Sequence, residues 1–153
     1  MTRLRVNGDE CVLTTHPGAA LLWALRDELG CSSAKYGCGA EQCGACRVLI
    51  DGAPVSSCAV TVGEAAGCDV ITLEGLVRDA RASGVVDALI GLDAGQCGYC
   101  LPGIVTTLVA LQERPVAPSR AELLQALDVH LCRCGTQTRI IAAAVAALGV
   151  GDG

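Results

Sequence analysis

The 153 residues read as an α+β chain in two units: a small mixed sheet with a helix laid across it, then a second half built of helices. Three observations carry this reading. Two short β-prone pairs, RLRV with ECVL and RVLI with APVSS, each turn on a dipeptide suited to positive φ, Asn7-Gly8 and Asp51-Gly52. From about Glu74 onward the alternating pattern gives way to apolar residues at helical spacing. Pro115, Pro118 and scattered glycines then divide the second half into helix-length pieces.

Taken in order, residues 2–14 form the first hairpin. Thr14 or Thr15 offers an N-cap, with Pro17 in the first turn, for a helix over 19–29. Its apolar face is Leu21, Leu22, Leu25 and Leu29, Trp23 packs on it, and Gly30 stops it. A loop follows from Lys35 to Cys46, then the second hairpin, whose return strand APVSSCAVTV carries Cys58. Asp69 to Leu73 is a last short strand. Helices are predicted over 85–92, 103–112, 120–129 and 138–148, with Ser119 capping the third. Gly75, Ser83 and Gly84 loosen the junction, and the units are expected at 1–76 and 77–153.

Bulk composition narrows the function. Each half is about 75 residues, small enough to gain from a metal or disulfide staple. The chain has one Trp, two Tyr and no Phe, yet 52% of it is apolar, which argues against disorder. A net charge of −5 without a basic run makes nucleic acid and anionic membrane poor partners. MTRLRVNGDE has no apolar leader core and no stretch is long enough to span a bilayer. A cytoplasmic chain, or one carried with a partner complex and not inserted in membrane, is expected. Its eleven cysteines, an odd number, are then metal ligands more readily than a disulfide framework.

Cys38, Cys43, Cys46 and Cys58 are spaced C-x4-C-x2-C and then eleven residues to the fourth. This is the spacing of plant-type 2Fe–2S ferredoxins. Two irons sharing two sulfides need two thiolates each, and one tight loop can deliver three of the four. Gly37, Gly39 and Gly44 let the backbone come close and turn N–H groups toward sulfur. A zinc site with four cysteines is the rival, although zinc favours paired C-x2-C knuckles. The first unit is therefore expected to be ferredoxin-like, a β-grasp. Cys97 and Cys100 stand at a helix start, where the dipole favours thiolate. Cys132 and Cys134 stand at a helix junction. Alone, this second set is compatible with zinc or a redox dithiol; after a ferredoxin-like half, a second 2Fe–2S cluster in a helical bundle is the stronger reading.

KYGCGAEQCGAC with Cys58, together with QCGYCLPGI and LCRCG, resembles the small iron–sulfur subunit of the xanthine oxidase family of molybdenum hydroxylases. The resemblance runs from VNG at residue 6 to the helix after Arg139. It implies two 2Fe–2S clusters here and a molybdopterin cofactor in a large partner subunit, which hydroxylates an N-heterocycle or an aldehyde with water as oxygen source. It further implies that electrons leave molybdenum through the helical-domain cluster and then the ferredoxin-like one, with Gln96 as a hydrogen-bond partner of the pterin. Helix capping is the plainer role for Gln96. LLWALRDELG before KYGCG, and LCRCGT, resemble the isoquinoline, nicotinate and aldehyde dehydrogenase type, which implies that the acceptor is a cytochrome c or a flavin subunit.

The remaining chemistry-bearing residues have modest roles. His130, where Asn is expected from the resemblance, makes a local hydrogen bond. Arg133, between two ligands, is structural or meets the partner, and its charge would raise a nearby cluster's potential. Cys11 and Cys68 are expected buried and Cys31 solvent-reachable. No catalytic residue is expected in this chain. The principal alternative is an independent ferredoxin-like carrier, and a third reading is a zinc-stapled interaction protein.

Overall fold

A computed structural model describes residues 1–151; the last two residues of the predicted second unit, 152–153, lie outside the described residues. The first hairpin forms as expected, β1 (Thr2–Val6) against β2 (Asp9–Leu13), with Asn7 and Gly8 at φ 53° and 88°. Asp51 and Gly52, at φ 49° and 81°, close β3 (Arg47–Ile50) on β4 (Ala53–Ser56). β5 (Asp69–Ile71) lies between them, parallel to β1 and antiparallel to β3. The result is one mixed five-stranded sheet in the order β2-β1-β5-β3-β4.

β3 divides the molecule into two cores. Successive side chains of a strand point to opposite faces, and here both faces are covered. Val48 joins Leu4, Val6, Leu13 and Val70 beneath Leu21, Leu22 and Leu25. Leu49 joins Leu76, Leu89, Ile104, Leu108, Leu123 and Ile140 on the helical side. Those helices are α2 (Leu73–Arg78), α3 (Ser83–Gly91), α4 (Leu101–Gln112), α5 (Arg120–Leu127) and α6 (Gln137–Leu148). α5 opens on the expected Ser119, whose hydroxyl accepts from Glu122 N–H while the Glu122 carboxylate accepts from Ser119 N–H at 2.8 Å. Among the described residues, no helix is long and apolar enough to cross a membrane.

Several local expectations are corrected. The first helix begins later, as α1 (Leu21–Trp23), and the methyl of Ala20 at its N-cap can make no capping hydrogen bond. Thr14 and Thr15 instead give their N–H and hydroxyl hydrogens to Glu28, whose carboxyl these bonds, Thr14 N–H foremost, hold down at about 2. The helix finishes as a π-helical turn, Ala24–Glu28, where Leu29 N–H reaches Ala24 C=O, before Gly30 reverses the chain at φ 68°. The last strand ends at Ile71, and Leu73, expected on it, opens the short helix α2 instead. β4 stops at Ser56, so Cys58 sits in the turn after it rather than on the strand. Cys31 is buried, whereas Cys11 and Cys68 are half-buried, the reverse of the expected ranking. Trp23 is not packed under its helix; it lies 41% exposed against Tyr36, ring centroids 5.2 Å apart.

Candidate metal centres

The loop from Lys35 to Cys46 folds back through residues at positive φ: Gly39 (65°), Glu41 (59°) and Gly44 (69°). This curvature turns N–H groups inward. Cys38 Sγ accepts from Ala40 N–H at 3.3 Å and Gln42 N–H at 3.1 Å, and Cys43 Sγ from Cys38 N–H at 3.3 Å. The Ala40 bond is the first cause of a Cys38 thiol lowered to about 7. Burial pushes the neighbouring Cys46 up to about 11, with Cys58 beside it. The loop also leaves no room for larger residues: a Cβ on Gly37 would stand 2.6 Å from Cys43 Sγ.

The second set has the same alternation. Cys97 and Cys134 are partners, and the Tyr99 N–H is the first cause of a lowered Cys97 thiol. Cys100, the N-cap residue of α4, is buried and pushed up to about 12 by desolvation, with Cys132 next to it. Cys132 is brought down to about 7, chiefly by the Thr136 hydroxyl, whose Oγ1 lies 3.4 Å from Sγ.

All eight predicted cysteines therefore fall into two groups, and within each group the sulfurs lie in pairs: Cys38 with Cys43, Cys46 with Cys58, Cys97 with Cys134, Cys100 with Cys132. Pairs suit two irons bridged by sulfide, each taking two thiolates, better than one tetrahedral zinc. Backbone N–H groups aimed at the thiolates supply the donors such a cluster needs. The residues present fit the group.

The two loops are in direct contact. Leu131 N–H donates to Cys43 C=O at 3.1 Å, linking Cys43 to the residue before Cys132. Gly44 is enclosed by the helical half: a Cβ on Gly103 would lie 2.0 Å from Gly44 O, and one on Gly44 would lie 2.2 Å from His130 Nδ1. A cavity of about 190 Å³ between the sets is bordered by Gly37, Cys43, Cys97, Tyr99, Leu131 and Arg133. Tyr99 donates its hydroxyl hydrogen to Tyr36 C=O. With Trp23 on Tyr36, the whole aromatic complement of the chain gathers beside the two loops.

Gln96 is exposed at the rim of an open groove of about 490 Å³, near Asp93, Gly95 and Pro102. Arg133 is exposed. His130 is buried, its Nε2 2.9 Å from Thr107 Oγ1, and desolvation followed by the Arg47 charge lowers its pKa to about 4, so the ring is neutral. Sequence reading had not singled out Thr107, Gly103 or Arg47. Their only signal is position: helical spacing puts Gly103 and Thr107 on one face of α4, and Arg47 follows Cys46.

Fold and site define a two-centre iron–sulfur protein of the electron-transfer kind. Comparison agrees: residues 4–90 match the 2Fe-2S iron-sulfur cluster binding domain and residues 72–145 the [2Fe-2S] binding domain. The chain is 42% identical to one of the chains of nicotinate dehydrogenase from Pseudomonas putida, over 92% of this chain and 89% of that one. In structure it is similar to quinoline 2-oxidoreductase from Pseudomonas putida 86, with a TM-score of 0.85 and 36% identity over 97% of this chain and 93% of that one. It is also similar to the aldehyde oxidoreductase of Desulfovibrio desulfuricans, with a TM-score of 0.86 and 34% identity, but spans only 17% of that longer chain. The protein belongs to the small iron–sulfur subunits of the xanthine oxidase family, the family its motifs resemble.

Proposed function

We propose that this chain is the electron-transfer subunit of a molybdenum hydroxylase, carrying electrons from a molybdopterin site in a large partner subunit to an external acceptor and having no substrate site of its own. Cys38, Cys43, Cys46 and Cys58 hold one 2Fe–2S cluster, and Cys97, Cys100, Cys132 and Cys134 hold the other. Each cluster, when bound, takes up and gives back one electron at a time. The observation that carries the reading is two complete four-cysteine sets in contact through the Leu131–Cys43 hydrogen bond. A free carrier needs one such set.

The chain's own residues divide the work. N–H donors from Ala40 and Gln42 stabilise negative charge on the outer side of the first site. Buried Cys46 and Cys100 keep water from the inner sides. Gln96, exposed on its groove, offers a carboxamide to the pterin of the partner. The first unit is a β-grasp and the second an all-α bundle, divided at 76/77 within α2. Relatives named for nicotinate and quinoline support an N-heterocycle as substrate class, and the aldehyde oxidoreductase supports an aldehyde. The electrons pass on to a cytochrome c or a flavin subunit. Anaerobic affinity purification of the chain from its own cells tests this. Recovery with a large chain containing molybdenum and pterin is expected; an iron-loaded monomer with neither would favour the independent carrier.

A further inference from the structure

The second cysteine set comes from two separate pieces of chain, 97–100 ahead of α4 and 132–134 ahead of α6, and each piece has its own tie to the first loop. Beside Cys132, Leu131 N–H donates to Cys43 C=O at 3.1 Å. Between Cys97 and Cys100, Tyr99 donates its hydroxyl hydrogen to the C=O of Tyr36, just ahead of Cys38. The ties differ in kind. The first joins backbone to backbone, and any residue but proline at 131 can make it. The second needs the phenol at 99, because a phenylalanine ring there has nothing to donate. A single tie leaves two bodies free to swivel about it, whereas two ties at separate points fix their orientation. Both ends of the tyrosine tie are themselves held. Tyr99 N–H donates to Cys97 Sγ, with Gly98 at φ 76° turning the chain between them. The Tyr36 ring lies against Trp23, centroids 5.2 Å apart, and its hydroxyl end rests on the first loop, where a Cβ on Gly39 would stand 2.9 Å from Tyr36 Oη. Tyr99 also borders the cavity shared by Cys43, Cys97 and Cys100. One side chain thus runs from beside a sulfur of the second set to the backbone of the first loop.

We propose that Tyr99 is a positioning residue for electron transfer, a strut whose hydrogen bond to Tyr36 C=O, together with the Leu131–Cys43 bond, fixes the spacing and orientation of the second cluster relative to the first. The inference rests on the proposed function. Transfer between two centres falls steeply with their separation, and a site keeps its geometry only where side chains locked by packing and hydrogen bonds support it. Tyr99→Phe removes one oxygen and changes no ligand and no charge. It therefore alters geometry and leaves both cluster potentials where they are.

Pulsed EPR of the complete, cluster-loaded protein with both clusters reduced, paired with amide hydrogen exchange, tests this. Two paramagnetic centres split each other's signals by an amount set by the distance and direction between them. In Tyr99→Phe that splitting broadens, while both midpoint potentials stay in place. Amides of residues 97–100 exchange about fivefold faster, as the loss of one hydrogen bond predicts, and those of 131–134 keep their rates. Tyr36→Leu, which keeps the accepting carbonyl but frees it from Gly39 and Trp23, broadens the splitting too. An unaltered splitting in Tyr99→Phe, a shifted midpoint in that variant, or equally quickened exchange in both pieces each overturn the proposal. So does loss of the second signal in Tyr99→Phe and Tyr36→Leu alike, which makes the tyrosines structural. Absence of both signals from the unaltered protein would overturn the functional reading instead.

Discussion

At the scale of single residues, chemistry and burial have to be separated. Spacing alone anticipates that the eight cysteines gather in two groups, because an offset along a tight loop is a local property. The other three were ranked wrongly because exposure is not local: Gly30 reverses the chain and carries Cys31 into the core beside Asn7, while Cys11 remains half-buried on β2. Burial raises the Cys31 thiol, so little of it is thiolate near neutrality. In the cluster-loaded protein, peptide mass spectrometry after brief alkylation at pH 8 should find Cys11 modified well before Cys31; equal labelling would place Cys31 at the surface. Cys43→Ala should remove one 2Fe–2S EPR signal and spare the other. Retention of both would show that Cys43 is not a ligand.

At the scale of elements, strong local chemistry was legible and short pieces were not. Both hairpin turns and the Ser119 cap follow from residues that satisfy their own backbone. α2 has six residues with Gly75 among them, too few for a periodic signal, and the π turn before Gly30 follows from packing rather than propensity. Ser119→Ala should lower stability by about 1 kcal/mol in denaturant unfolding at pH 7. The partner carboxyl of Glu122 is held at about 2, first by Ser119 N–H, against an ordinary 4.5. A depressed carboxyl stabilises the fold above its unfolded value, so this contribution is flat from pH 8 to 5.5 and fades as pH falls from 4.5 toward 2. The contact of α4 with the cluster loop depends on Gly103. Gly103→Ala drives a methyl into Gly44 O and should destabilise the protein by about 1–3 kcal/mol while slowing electron exchange between the clusters. Wild-type melting and exchange rates in that variant would show that the two halves need not touch there.

At the scale of the whole molecule, two small cores share one strand, and two cysteine-bearing loops touch beside its start. Both cysteine sets could be read from the sequence, but not that β3 serves both cores through Val48 and Leu49, nor that His130 and Gly103 close on Gly44. Those contacts join residues far apart in the chain, and no local pattern encodes them. Since each set's loops are irregular backbone gathered around thiols, metal binding is coupled to folding. Removing iron with a chelator under reducing conditions should lower the melting temperature and open both halves to proteolysis around 35–46 and 131–136. Metal analysis joined to EPR of anaerobically prepared, dithionite-reduced protein tests the pair of clusters. Two 2Fe–2S clusters predict about four iron atoms and about four labile sulfides per chain, with two resolvable signals of equal intensity. Zinc in place of iron, or a single signal with half that iron, would contradict it.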